Sequence, residues 1–316
     1  MLPYVFRRLV LMVPALLLLT VVVFVLIRVA PGNAAQLQLA ESGAGSQQAI
    51  KELEHQWHLD RPIPVQYGLW LRDIAGGRFG RSLWTGSNTL GQVGRYLPVT
   101  VELAVLSVLL ATLVGVPVGV AAAYRRGGLT DHGLRFASVV GLAVPGFWLG
   151  TMLIVLPSVW WGYAPPLVYT PLWKDVVENV KQMVLPSAVI AVYLAATTIR
   201  VTRSVVLDFL RSDFVRTARA KGLAGRTIAG RHVMRNAGVP VLTLIGAQFG
   251  ILLGGVVVQE QVFALPGLGR LTLESIVHRD YTQVQLNVLV FALMVMLVNL
   301  LTDVAYAVFD PRIRYS

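Results

Sequence analysis

The stretch LAVLSVLLATLVGVPVGVAAAY, from Leu103 to Tyr124, holds no charged residue and no histidine. A helix of about 20 apolar residues crosses the ~30 Å hydrocarbon core of a bilayer, and its own hydrogen bonds satisfy the backbone polar groups there. Comparable uncharged runs lie at residues 9–27, 136–161, 182–199, 236–259 and 281–302. The sequence therefore predicts an all-α membrane protein with six transmembrane helices.

The composition agrees with this class and argues against others. Of the 316 residues, 55% are hydrophobic and 14% are charged, and the mean hydropathy is +0.66. The chain has no cysteine, which excludes disulfides and thiolate metal sites. The net charge is +11, but the basic residues lie between apolar runs, so no nucleic-acid partner is expected.

The first apolar run is open to two interpretations. Arg7 and Arg8 precede it, and Ala34 and Ala35 follow it, as in a cleaved signal peptide. Its length exceeds the usual signal-peptide core of about 7 to 15 apolar residues, which favours a retained helix. We therefore assign residues 1–29 to an N-terminal transmembrane helix.

The distribution of Lys and Arg predicts the orientation, because cytoplasmic loops of membrane proteins are enriched in basic residues. Nine Lys and Arg residues lie between Arg200 and Arg235, and both ends of the chain also carry arginines. This pattern predicts a multi-pass protein of the bacterial inner membrane with both termini in the cytoplasm. Residues 30–98 then form an extracytoplasmic domain, with a helix expected around residues 47–57, and residues 99–316 form a five-helix core.

The fifth apolar run carries Gly246, Gly250 and Gly254 at four-residue spacing, which places them on one face of a helix. Small residues serve both close helix packing and a pore wall, so both roles stay open. Gln248, in the same stretch, joins them as a candidate pore or packing residue.

The segment 201–236 is longer than a connection between bundled helices requires. Within it, DFVRTARAKG favours a short helix that ends at Gly222. This helix either fits into a groove of another protein or is a solvated basic helix on the cytoplasmic side. The candidate docking residues are Asp213, Arg216, Thr217, Ala218, Arg219, Ala220, Lys221 and Gly222.

This segment resembles the EAA loop of ABC importer permeases, a coupling helix that sits in the ATPase subunit. The family pattern has Glu-Ala-Ala, three further residues and then Gly. Here Ala218 and Gly222 match that spacing, whereas Arg216 and Thr217 depart from it. Met234-Arg235 stands where the general pattern has Leu-Pro, but TARAKG followed by RNA resembles the dipeptide/oligopeptide branch.

The resemblance extends over nearly the whole chain. Stretches similar to the same branch are FRRLVLMVPALLLLTVVVFVLIRVAPG, LDRPIPVQYGLWL, FGRSL, EQVFALPGLGRL, RDYTQVQ and FDPRIR. It implies the type I ABC importer permease fold and the first permease subunit of a pair. The implied partners are a second permease, two ATP-binding subunits and an extracytoplasmic peptide-binding protein. The implied cargo is di- or oligopeptides, with nickel chelates or glutathione as alternatives.

The chain itself is not expected to be an enzyme. It lacks a G-x-x-x-x-G-K-[S/T] phosphate loop, so ATP and magnesium are expected on the partner subunits and no cofactor on this chain. No catalytic residue is assigned. His55 and His58 offer only two imidazoles, so no metal site is assigned either.

The outer turn after the fifth run supplies a candidate outer gate, formed by Glu260, Phe263, Pro266 and Gly267. Glu102 and Glu260 lie near the outer ends of two runs, where they either meet a peptide amine or stay hydrated. An ion-coupled secondary transporter is the rival class. Such proteins place ionisable groups near the bilayer midplane, and the six runs hold none there.

Overall fold

The computed structural model describes residues 2–29, 32, 34–41, 46–163, 166 and 168–309. These residues are mostly helical, and one isolated β-bridge joins Arg81 and Asn88. In chain order the helices are α1 (Leu2–Val29), α2 (Ala34–Glu41), α3 (Gln47–Gln56), α4 (Ile63–Ala75), α5 (Thr89–Tyr124), α6 (Leu129–Ala143), α7 (Gly146–Trp161), α8 (Val176–Leu210), α9 (Asp213–Ala220), α10 (Gly225–Thr227), α11 (Met234–Val262), α12 (Leu268–Val277) and α13 (Tyr281–Phe309). A π-helical turn, Ile228–Val233, connects α10 to α11.

Four helices in the described part of the chain are each long and apolar enough to cross a membrane. They are Phe6–Val29 of α1, Thr89–Tyr124, Val176–Leu210 and Tyr281–Ala305 of α13. Two bent pairs pass the same test together: α6 with α7, and Gly225–Gly250 with Gly254–Val262, which meet at 56°. The all-α membrane class is confirmed, with up to six spans when each bent pair counts as one.

The run at residues 136–161, expected as one helix, is broken. α6 and α7 meet at 94°. Val144 is extended at the break, with φ −77° and ψ 122°, and Pro145 follows it. Proline disfavours the helical conformation of the preceding residue and has no N–H to donate, so the helix ends before it.

The chain forms two compact units, residues 1–98 with 266–296 and residues 99–265 with 297–316. In the first unit, Phe24 of α1 packs edge-on against Tyr67 of α4, with ring centroids 5.2 Å apart. Arg28 donates from Nε to Gln66 Oε1 at 2.7 Å, and its guanidinium lies 3.4 Å from the centre of the Phe24 ring. These contacts fix α4 against the end of α1.

The second unit has a core shared by α5, α8 and α11. Its fully or almost fully buried members include Leu103, Met183, Leu194, Leu252 and Val256. α5 approaches α8 closely at two glycines. A Cβ at Gly115 would lie 2.7 Å from Thr198 Cβ, and one at Gly119 would lie 2.8 Å from the Ile199 carbonyl oxygen. Glycine at these positions therefore permits the close packing of the two helices.

Candidate functional site

The predicted docking helix is present as α9, and it ends where the sequence indicates. Gly222 has φ +74°, a left-handed conformation that L side chains rarely adopt. Its N–H donates to the Arg219 carbonyl at 2.9 Å, and the Leu223 N–H donates to the Ala218 carbonyl at 3.2 Å. The glycine thereby closes the C-terminal turn of the helix.

α9 has one face buried in the second unit and one face open to solvent. Val215 is fully buried and Ala218 is 6% exposed, and both pack with Val206, Ile228 and Val233. The remaining candidate docking residues are exposed: Asp213, Arg216, Thr217, Arg219, Ala220, Lys221 and Gly222.

Ala218 thus has a different position from the one expected for a docking residue. It fixes α9 to its own chain and does not contribute to the open surface. Val215 and Ala218 stand three residues apart, a spacing that places two side chains on one helix face. That apolar pair was the available signal for the buried side.

The exposed face of α9 carries charged side chains, and the ion pair between two of them is weak. Arg216 and Asp213 lie 3.5 Å apart, with side chains 79% and 96% exposed. Pairs this exposed contribute little to stability. Phe214, which sequence reasoning did not single out, is 38% exposed beside these charges. A partner would therefore meet a basic surface with one aromatic ring.

The π-helical turn Ile228–Val233 packs against the buried face of α9. Its wider turn brings residues five apart onto the same side, and Ile228 and Val233 are both buried against Val215 and Ala218. No motif in the sequence predicts this π-helical turn. Such turns are rare and are often found at functional sites.

The glycine stripe on α11 divides between two environments. A Cβ at Gly246 would clash with the Thr302 side chain. Gly250 and Gly254 are exposed, and an added Cβ at either would meet no described atom within 4 Å. Gly246 is therefore a packing residue between α11 and α13. Gly250 and Gly254 present an open surface.

Gln248 lies between these glycines and is buried, with 2% exposure. Its Nε2 donates to the Leu194 carbonyl at 3.0 Å and to Thr198 Oγ1 at 2.9 Å. Its Oε1 has no hydrogen-bond partner among the described residues. Gln248 therefore joins α11 to α8 within the core.

We expect Gly246→Val and Gly250→Val to have different effects on the free energy of unfolding. Valine at 246 meets Thr302 and should lower the free energy of unfolding by about 1–3 kcal/mol, the usual cost of overpacking. The Cβ of valine at 250 would meet no described atom within 4 Å, so stability should stay nearly unchanged. Thermal unfolding of the two purified variants in detergent measures the difference, and equal melting temperatures would contradict the assignment.

The four candidate gate residues border the turn between α11 and α12. Glu260 is fully buried and its Oε1 accepts from Thr100 Oγ1 at 2.6 Å. Phe263 is 6% exposed in the core of the second unit. Pro266 is half-buried, and Gly267 is buried as the N-cap of α12. Glu260 is consequently shielded from solvent, contrary to a hydrated carboxylate.

Glu102, near the start of the second apolar run, holds the loop before α8. The Tyr169 hydroxyl donates to Glu102 Oε2 at 2.7 Å. Burial, together with this hydrogen bond, raises the pKa of Tyr169, so the phenol stays a neutral donor. Glu102 Oε1 is buried and has no hydrogen-bond partner within the described chain.

Two stretches that are far apart in sequence meet in the first unit. The Asp280 carboxylate accepts from the Ser82 hydroxyl and, at 3.0 Å, from the Leu83 N–H. Asp280 is 1% exposed. Beside it, the rings of Trp84 and His278 stack with centroids 3.8 Å apart. FGRSL and RDYTQVQ therefore form one site, which we name the Asp280 site.

Replacing Asp280 with alanine should release the loop that holds Ser82. Leaving buried donors unpaired costs about 1–3 kcal/mol, so trypsin should cleave after the exposed Arg78 and Arg81 about tenfold faster. Asp60→Ala, at an exposed position in the same unit, is the matched control and should leave the rate unchanged. Equal cleavage rates for both variants would show that Asp280 does not hold the loop.

Comparison with known proteins assigns this chain to a family. Residues 115–315 match the family described as "binding-protein-dependent transport system inner membrane component". Residues 1–104 match the N-terminal region described for the membrane components of such systems. The chain belongs to this family of inner membrane transport components.

Full-length relatives of this transport component include permeases named for peptides. This chain is 36% identical to the dipeptide transport system permease protein DppB of Alkalihalophilus pseudofirmus, and the alignment covers 100% of each chain. Two further relatives are also 36% identical to this chain: the di/tripeptide permease DppB of Pseudomonas aeruginosa and the dipeptide permease DppB of Escherichia coli. Each alignment covers the full length of both proteins compared.

A solved structure shows the same fold. A chain from the inward-facing MetNI methionine ABC transporter superimposes with a TM-score of 0.56 at 15% identity, covering 70% of this transport component and 97% of the other chain. The type I ABC importer permease fold expected from the sequence is thereby confirmed. α9 and the candidate gate both lie in the family region 115–315. The Asp280 site contains residues from that region and from the N-terminal region 1–104.

Proposed function

We propose that the chain is one of two pore-forming permease subunits of an ATP-driven, binding-protein-dependent importer of di- and oligopeptides. The observation that carries the proposal is full-length similarity, at 36% identity, to permeases named for dipeptides and di/tripeptides. The proposed location is the bacterial inner membrane with both termini in the cytoplasm, because the Lys and Arg residues cluster in the segments assigned to that side.

In this proposal α9 is the element that couples the pore to ATP hydrolysis. A helix with one buried face and one exposed, charged face transmits force from a bound partner to the helices beneath it. α9 packs on Val206 of α8 and on Ile228 and Val233 before α11, so a displacement of α9 is passed to both helices. Two partner ATPases carry ATP and magnesium, and their closure opens the pore outward.

The extracytoplasmic side receives the peptide from a soluble or lipid-anchored binding protein. Residues 30–98 and the turn at 262–270 are the proposed contact region. Glu102, near the outer end of the second apolar run, is a candidate to meet the peptide amine. Nickel chelates and glutathione are the alternative cargoes, since a binding protein selects the substrate before it reaches the pore.

Co-purification tests the subunit composition. The tagged chain, expressed with the products of adjacent genes and extracted in detergent, should retain a second permease and two ATPase subunits. Variants of the exposed face of α9, such as Arg216→Ala with Arg219→Ala, should lower the yield of the ATPases but not of the second permease. A chain that purifies alone would contradict the proposal.

A further inference from the structure

A cavity of about 590 Å³ opens between the C-terminal end of α5, the start of α6 and the last turns of α8. It lies wholly in the second unit, at the ends of membrane-spanning helices. Five arginines line it: Arg126, Arg135, Arg200, Arg203 and Arg211. The transport function described above gives this cavity no role.

One of these arginines is neutralised within the chain. Arg203 donates to both carboxylate oxygens of Asp131, at 2.7 and 2.8 Å. Asp131 is 1% exposed and also accepts from the Gly127 N–H at 3.1 Å. This pair forms the rigid wall of the cavity.

The other arginines leave the cavity with an excess of positive charge. Arg126, Arg135, Arg200 and Arg211 are all exposed, and no ion pair joins them to an acid within the described chain. The other ionisable groups facing the cavity are Asp208 and His132. The four exposed arginine side chains outnumber the one exposed carboxylate, so the site is electropositive.

A further set of lining side chains, farther along α6, is apolar. Val139 and Leu142 line the cavity beyond Arg135 on α6. Leu142 stands seven residues past Arg135, which is about 10 Å along a helix axis. Phe136, on the same helix, is 72% exposed. The site thus has a basic mouth at the helix ends and an apolar floor toward the membrane interior.

We propose that this cavity binds the headgroup of an anionic phospholipid, with the lipid chains lying along the apolar side of α6. Arginine's planar guanidinium matches the oxygens of a phosphodiester. Basic pockets between transmembrane helices on the cytoplasmic side are suited to anionic headgroups. A free phosphate would match the arginines but would leave the floor formed by Val139 and Leu142 unfilled.

Lipid retention by the assembled permease tests the proposal. The complex is reconstituted in nanodiscs of equal phosphatidylglycerol and phosphatidylcholine, extracted, and its retained lipids are counted by native mass spectrometry. The wild type should retain phosphatidylglycerol preferentially. The double variant Arg200→Gln with Arg211→Gln should bind it about 25-fold more weakly, at about fivefold per arginine near the surface.

Two further variants separate a specific site from general charge and from misfolding. Arg231→Gln with Arg235→Gln removes the same charge from exposed positions outside the cavity and should leave retention unchanged. Arg200→Lys with Arg211→Lys keeps the charge but loses the planar guanidinium, so its binding should lie between that of the wild type and that of the glutamine variant. Equal retention of both lipids, equal loss in the control pair, or displacement of phosphatidylglycerol by excess inorganic phosphate would each overturn the proposal.

Discussion

Replacing Asp131 with alanine should lower the free energy of unfolding of this chain by about 3 kcal/mol. Removing one member of a buried ion pair leaves its partner uncompensated, at a cost of about 3–5 kcal/mol. The lower end applies because the Arg203 side chain keeps 20% exposure. The Gly127 N–H also loses its acceptor. Thermal or denaturant unfolding of the purified chain in detergent measures the change.

The chain offers a matched control for this variant. Asp73 and Arg78 also lie 2.7 Å apart, but their side chains are 41% and 66% exposed. The hydrogen bond from Arg78 lowers the pKa of Asp73, yet pairs this exposed contribute only about 0–1 kcal/mol. Asp73→Ala should therefore change stability little. Equal losses for the two variants would show that burial does not set the value of the Asp131 pair.

Replacing Gly222 with proline should reduce peptide uptake about tenfold or more, while the ATPase subunits continue to hydrolyse ATP. Gly222 has φ +74°, whereas proline fixes φ near −65° and has no N–H, a mismatch worth about 3 kcal/mol. The bond to the Arg219 carbonyl is lost, and the end of α9 must move. Uptake and hydrolysis are measured on the same proteoliposomes.

Two controls place the effect at the backbone of residue 222. No atom of the described residues contacts a Cβ built there within 4 Å. Gly222→Ala therefore acts through the left-handed conformation, at about 1–2 kcal/mol, and should give an intermediate loss. Gly225→Pro, at the first position of α10, should be tolerated, because proline suits the start of a helix. Normal uptake in Gly222→Pro would remove α9 from the coupling mechanism.

Local pattern was sufficient to predict the membrane class and α9. Uncharged runs of about 20 residues form helices in lipid wherever they occur in a sequence, and the glycine at 222 ends a helix by its own conformational freedom. The break at Pro145 was also encoded locally, since a residue before proline resists the helical conformation. Counting apolar residues alone missed it.

The remaining features depend on contacts that sequence spacing does not reveal. Asp131 and Arg203 are 72 residues apart, and Ser82 and Asp280 are 198 apart. Each pair forms only when separate helices or loops have packed. The different environments of Gly246 and Gly250 depend on where α13 lies, because only Gly246 faces Thr302.

Uptake by the reconstituted complex tests whether this chain is a permease subunit of an ATP-driven peptide importer. The chain, its partner permease and the ATPases are placed in proteoliposomes with the binding protein, and labelled di- to pentapeptides are supplied with ATP, with a proton gradient or with a sodium gradient. We expect uptake that needs ATP and the binding protein and that does not respond to either gradient. Uptake by the chain alone, driven by either gradient without ATP, would contradict it.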